Sequence, residues 1–234
     1  MVWVAGADGC KRGWFRAARE TGSGELHFEV FREAHALLRA APSPRVLGLD
    51  IPIGLPASGR RACDEAARGL LGPRRASVFD APIRPALGAP SREAASRITA
   101  KCDGGRKVSA QAFGIYRKVH EVDALLVTSG EARARIREVH PEVCFWAWNG
   151  ELAMRASKKT PAGLRQRKAL VQKWLGAGAL ASARKRAGAG VAEDDILDAI
   201  AALWTATRIA EGRARTLPTV PPVDPTGLRM EIVY

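Results

Sequence analysis

The chain has 234 residues, enough for one sizeable domain with a well-buried core and too few for two large ones. Its formal net charge is +13 at pH 7, and no apolar run approaches the roughly 18 to 20 residues that span a bilayer. A membrane-spanning helix is excluded, and the N-terminal stretch MVWVAGADGCKRGW lacks the order of charged, apolar and small residues that marks a signal peptide, so a cytoplasmic location is expected.

Residues 2–7, VWVAGA, read as a buried strand that ends in a turn at Asp8-Gly9. Two further strands are expected at GWFRAARE and ELHFEVF, joined by the polar turn TGSG. REAHALLRAA has helical periodicity and stops at PSP, after which RVLGLDIPIGLP gives a fourth strand that runs into a Pro- and Gly-rich loop just past Asp50. A helix at RRACDEAARGLL follows, and then prolines forbid a long regular element between Gly72 and Ser91. Helices are predicted over REAASRITAK and SAQAFGIYRKVHEVDALLVT, and ARIREVHPEVCF is predicted as a strand with Glu138 and His140 near its end. Three helices between Lys158 and Arg213 precede an extended tail that covers the domain. The organisation is therefore one domain over 1–234, with an irregular and helical insertion at about 60–130 and a basic helical segment at about 155–190.

That segment concentrates the charge. From Arg155 to Arg186 the chain carries ten basic residues and no acid, which predicts a polyanionic partner such as nucleic acid, because clustered Lys and Arg neutralise phosphates and release counterions. The competing reading is a set of surface helices that are basic without a partner. Cys10, Cys63, Cys102 and Cys144 lack C-x-x-C or zinc-ligand spacing and are expected as buried free thiols. The six tryptophans are read as core residues rather than base-stacking platforms.

The acids offer chemistry. Asp8 and Asp50 stand at the ends of the first and fourth strands, Glu138 near the end of a later one, and Asp195 and Asp198 open the apolar segment VAEDDILDAIAALW. Capping accounts for Asp194 or Asp195. It accounts less well for Asp198, one turn inside the helix beside Ala199, Ala201 and Ala202. Strand ends on one side of an α/β sheet form the usual site, and converging carboxylates suit hard divalent cations, Mg²⁺ or Mn²⁺. Each acid also has an ordinary reading: Asp8-Gly9 as a turn, Asp50 as a strand end, Glu138 as a partner for one of the arginines. His140 reads equally as a core histidine.

The segments GADGCKRGW, LDIPIGLP, GRRACDEAARGLLGPRRASVF, SAQAFGIYRKVHEVD, EVHPEVCFWAWNG, SKKTPAGLRQR and EDDILDAIAAL run in order through most of the chain. In these segments the chain resembles the RNase H-like superfamily and, within it, a family of predicted nucleases known as domain of unknown function four-two-nine. The resemblance implies an α/β fold with an RNase H-like mixed sheet, in which three antiparallel strands, a helix and further parallel strands are flanked by helices and carry helical insertions. It implies a metal-dependent nuclease acting on DNA or RNA, with Asp8, Asp50, Glu138, Asp195 and Asp198 as catalytic residues. Asp8, Asp50, Glu138 and Asp198 would hold Mg²⁺ or Mn²⁺, and Arg74, Gln111, Lys118, His140 and Lys158 would bind substrate, with Glu142 a further motif position. The alternative is a catalytically silent nucleic-acid-binding or scaffolding protein of the same fold. A phosphotransferase of the duplicated version of the fold has no room here. Homo-oligomerisation stays open, and the carboxyl groups of Asp8 and Asp198 are expected within about 10 Å of each other, the reach of two bridging metals.

Overall fold

The computed structural model describes residues 1–234. Strands β1 (Trp3–Cys10) and β2 (Gly13–Glu20) form an antiparallel hairpin with Cys10 opposite Gly13. The turn is therefore Lys11-Arg12. Asp8 and Gly9 lie inside the ladder opposite Phe15 and Trp14, not in a turn, because Gly13 at φ +124° takes the reversal that the sequence had suggested for Gly9. β3 (Leu26–Phe31) adds antiparallel to β2, while β4 (Val46–Leu49) and β5 (Ile136–Glu138) run parallel to β1, giving one mixed sheet in the order β3-β2-β1-β4-β5.

Between β3 and β4 the helical pattern yields a single turn, α1 (Ala36–Arg39). The long connection from β4 to β5 carries α2 (Ala62–Leu71), a 3₁₀ turn over Gly72–Ser77, α3 (Arg92–Cys102), α4 (Ala110–Gly114), α5 (Tyr116–Thr128) and α6 (Gly130–Arg135). The helix expected over 109–128 is thus broken at Ile115, and Ser109 caps the first piece by accepting the Ala112 N–H. The strand expected to run from Ala134 to Phe145 stops at Glu138. Pro141 has no N–H to give a ladder and begins a helix instead, α7 (Pro141–Trp148). α8 (Pro161–Leu175), α9 (Ala177–Ala187) and α10 (Glu193–Ala210) are the three helices expected before the tail. The tail folds back as a small ribbon of β6 (Thr216–Leu217) and β7 (Ile232–Val233).

Both faces of the sheet are covered. Val4, Phe15, Ala17 and Phe28 point to one face and pack under α7 to α10, and Ala5, Ala7, Trp14, Ala18, Leu47 and Leu49 point to the other, under α1, α5 and α6. Burial on both sides explains why the strands read as apolar runs rather than as alternation. A smaller core joins α2 to the ribbon through Cys63, Leu71, Met230, Ile232 and Tyr234. Trp14 is the one fully buried tryptophan, whereas Trp148, which stacks on Trp204 at 5.3 Å and meets Trp174 edge-on, is partly buried at the margin of the core, as are Trp174 and Trp204. Cys10, Cys63 and Cys144 are buried free thiols, whereas Cys102 is exposed at the end of α3. No helix is long and apolar enough to cross a membrane.

α10 packs backbone to backbone against the sheet centre. Gly6 and Gly48 are register partners in the parallel pair β1–β4. A Cβ on Gly6 would lie 1.9 Å from the Leu203 nitrogen and 2.4 Å from the Ala199 oxygen, and one on Gly48 would lie 2.7 Å from the Ala202 oxygen. Backbone meets backbone there, so no side chain can rotate aside. Gly6→Ala is expected to cost more than about 3 kcal/mol or to prevent folding, as severe overpacking does. Gly69→Ala, in α2 with nothing within 4 Å of the added Cβ, should stabilise by roughly 0.5–1 kcal/mol. Urea denaturation of both variants checks the pair, and a well-folded Gly6→Ala protein of parental stability would contradict the packing.

Candidate functional site

The glycine seam places the acids. Side chains on a strand repeat every second residue, so Asp8 follows Gly6 on the face under α10, and Asp50 follows Gly48. The Asp50 N–H donates to the Ala7 carbonyl at 3.1 Å, which carries the β1–β4 alignment to the next step. Asp198 immediately precedes Ala199, whose carbonyl touches Gly6. One ligand oxygen from each of Asp8, Asp50 and Asp198 can be chosen so that all three lie within 4.8 Å of one another, inside the distance expected for Asp8 and Asp198. The set offers only carboxylate oxygen, the donor type that hard divalent cations take.

Three carboxylates so close cannot all ionise freely. Burial, and then the charges of Asp50 and Asp198, push the Asp8 carboxyl well above the usual range. Burial and then Asp198 push Asp50 up to about 8, and burial raises Asp198 against the opposing pull of Lys158. Lys158 is the internal counter-ion. Its ammonium donates to Asp198 Oδ2, and although burial pulls its pKa down, Asp198, Asp8 and Asp50 together drive it well up.

The remaining predicted residues divide. Glu138 lies outside the trio: both its oxygens are held by Arg61 at 2.7 Å, Oε2 also accepts the Ile53 N–H, and Arg61 in turn grips Asp64. Asp195, the third residue of α10, reaches back to accept the N–H of the N-cap Ala192 at 3.0 Å, and Asp194 pairs with Lys159. Lys118 donates to the Gly13 carbonyl at 2.6 Å with its ammonium 4.5 Å from the centre of the Trp14 ring. His140 stands 3.4 Å from the Ser77 carbonyl, with its pKa lowered by burial. Arg74 lies 3.9 Å from Glu142. Gln111 is exposed on α4 and does not face the site. A cleft of about 720 Å³ opens over Asp8 and Asp50, lined also by Arg74, Lys118, His140 and Lys158 among others, while Asp198 is buried and outside its lining. Nothing in the sequence marks the buried Arg61 or the fully buried Arg167, which pairs with Glu142. An arginine among 37 basic residues carries no mark of burial.

Of the ten basic residues in the acid-free segment, Lys158, Lys159, Arg167 and Lys168 pair with acids brought from elsewhere. Arg155, Arg165, Lys173, Arg184, Lys185 and Arg186 remain as its exposed charge. The family model described as Protein of unknown function (DUF429) matches residues 6–223. No curated protein and no solved structure matches the chain.

The raised Asp50 pKa has a thermodynamic consequence. The folded state holds a proton that the unfolded state releases near pH 4, so this contribution to stability is full below about pH 4 and is lost as pH rises through about 8. In chelator, Asp50→Asn should therefore gain on the parent steadily from pH 4 to pH 9. Thermal melts across that range read the difference, and a gap that does not change with pH would remove Asp50 from the repelling trio.

Proposed function

We propose, for a chain that belongs to the family described as Protein of unknown function (DUF429), an RNase H-like fold and divalent-metal-dependent hydrolysis of phosphodiester bonds in nucleic acid. The topology supports the fold: three antiparallel strands lead into two parallel ones, and a late helix crosses the sheet centre. One observation carries the activity, the meeting of Asp8, Asp50 and Asp198 within 4.8 Å beneath a cleft that cations also line. In this reading the three carboxylates hold Mg²⁺ or Mn²⁺, which when bound supplies a Lewis acid and lowers the pKa of a coordinated water. Glu138 and Asp195 have other partners, so the ligand set rests on three acids.

The chain's own groups do the rest. Asp8 and Asp50 retain protons well above the usual carboxylate range and must release them to act as ligands, so occupancy strengthens as pH rises. Lys158, part-exposed at the cleft, must give up Asp198 and can then neutralise a phosphate. The Arg74 side chain, also part-exposed there, offers a second cation to the backbone. The same Lys158 favours a second reading, because the site is partly charge-compensated by the protein itself: a nucleic-acid-binding or scaffolding protein without turnover.

Titration calorimetry with Mn²⁺ and a cleavage panel of labelled single-stranded, duplex, hybrid and junction substrates test the two readings. The parent should bind Mn²⁺ and cleave at least one substrate. Asp8→Asn should lose the binding heat and more than about 100-fold of the cleavage, beyond what changes in groups merely supporting a metal cost. Nucleic-acid binding with no Mn²⁺ heat and no cleavage would decide for the scaffold.

A further inference from the structure

One wall of the cleft runs from Pro73 through the 3₁₀ turn to Phe79. Phe79 is 46 % exposed although it lines a concave site. An aromatic face left to water in a cleft is surface that a ligand gains by covering. Beside it in the same lining, the Arg74 side chain is part-exposed, while its Nε, the Nδ1 of His140 and the Oε2 of Glu142 are buried with no hydrogen-bond partner. Glu142 is only 4 % exposed, and its other oxygen is taken by Arg167.

An aromatic platform and a part-exposed arginine stand together in the wall of a cleft of about 720 Å³ whose lining also includes Asp8 and Asp50. That is the size of a small-molecule site. Bases inside a duplex are stacked on both faces and have none to offer a side chain, whereas a single strand can splay a base onto an aromatic ring. We propose that this wall is a subsite for one unstacked nucleotide of a single strand, with the Phe79 ring as the platform for its base and Arg74 as the contact to its phosphate. Glu142 and His140 are positioning residues: Glu142, anchored by Arg167, holds Arg74 electrostatically, and His140 braces the turn at Ser77. The proposal rests on the nucleic-acid reading above and narrows its substrate to single strands.

Binding measured in chelator separates this subsite from any cleavage. Fluorescence anisotropy with a labelled single strand, the matching duplex and an unlabelled mononucleotide as competitor should rank the single strand tightest. Phe79→Ala should weaken single-strand binding by about tenfold, the scale of one base–aromatic stack, with duplex binding unchanged and Phe79→Trp restoring the affinity. Phe79 is half-exposed, so the variants should keep the parental melting temperature. Duplex binding as tight as the single strand, unchanged single-strand affinity in Phe79→Ala, or competition by the mononucleotide at equal affinity would each overturn the proposal. A protein that binds single strands through Phe79 but cleaves nothing would sink the hydrolase reading alone. One that cleaves single strands equally well with Phe79→Ala would sink the subsite alone.

Discussion

The contact of α10 with Gly6 and Gly48 sets the rest of the molecule. Two glycines opposite each other in a parallel strand pair remove the side-chain layer at the centre of the sheet, and the small residues Ala199 and Ala202 let the helix backbone descend into the gap. A helix on a sheet is ordinarily held off by side chains, here by none. The approach fixes the translation and rotation of α10, and with them where Asp198 stands relative to strand residues almost two hundred positions earlier. Because Asp8 and Asp50 sit one pleat beyond the two glycines, close packing and carboxylate convergence are the same geometric fact.

Convergence has an electrostatic cost, and the fold meets it in two ways. The carboxyls of Asp8 and Asp50 are pushed toward their neutral forms, by burial first and by neighbouring acids second, Asp50 and Asp198 acting on Asp8 and Asp198 acting on Asp50. Lys158 is delivered from the loop before α8 to Asp198. Neighbouring pairs follow the same logic, Lys159 with Asp194 and Lys168 with Glu193, so the N-terminus of α10 is stitched to the basic segment by successive ion pairs. Exposed pairs of this kind contribute little stability each, but they set the register of the loop that carries Lys158.

The cleft is framed by charges that never reach solvent. Arg61 binds both oxygens of Glu138 and both of Asp64, and Arg167 holds Glu142. Removing one member of such a buried pair leaves an uncompensated charge, at a cost of about 3–5 kcal/mol. These pairs make rigid walls of segments that are short and irregular by themselves, the turn before α7 and the start of α2. Glu138 shows how a strand-end acid becomes a brace: it lies one step from the trio, but a buried arginine reaches it first.

Local chemistry determined much of this without a structure. The β-β-β-α-β opening, the interruption of regular structure by prolines after Gly72, the three helices before the tail and the placing of Asp8 and Asp50 toward strand ends and of Asp198 in an apolar helix all follow from periodicity and breakers. Tertiary structure decided what depends on partners distant in the chain. Glu138 and Asp195 looked like Asp50 and Asp198 in sequence, yet one meets Arg61 and the other caps its own helix. Likewise, the run from Arg155 to Arg186 has no acid in sequence but meets four across space. Periodicity reports which face a residue occupies, because that is a property of a few neighbouring bonds. Which opposite charge arrives first is set by how separate elements pack, and no window along the chain contains it.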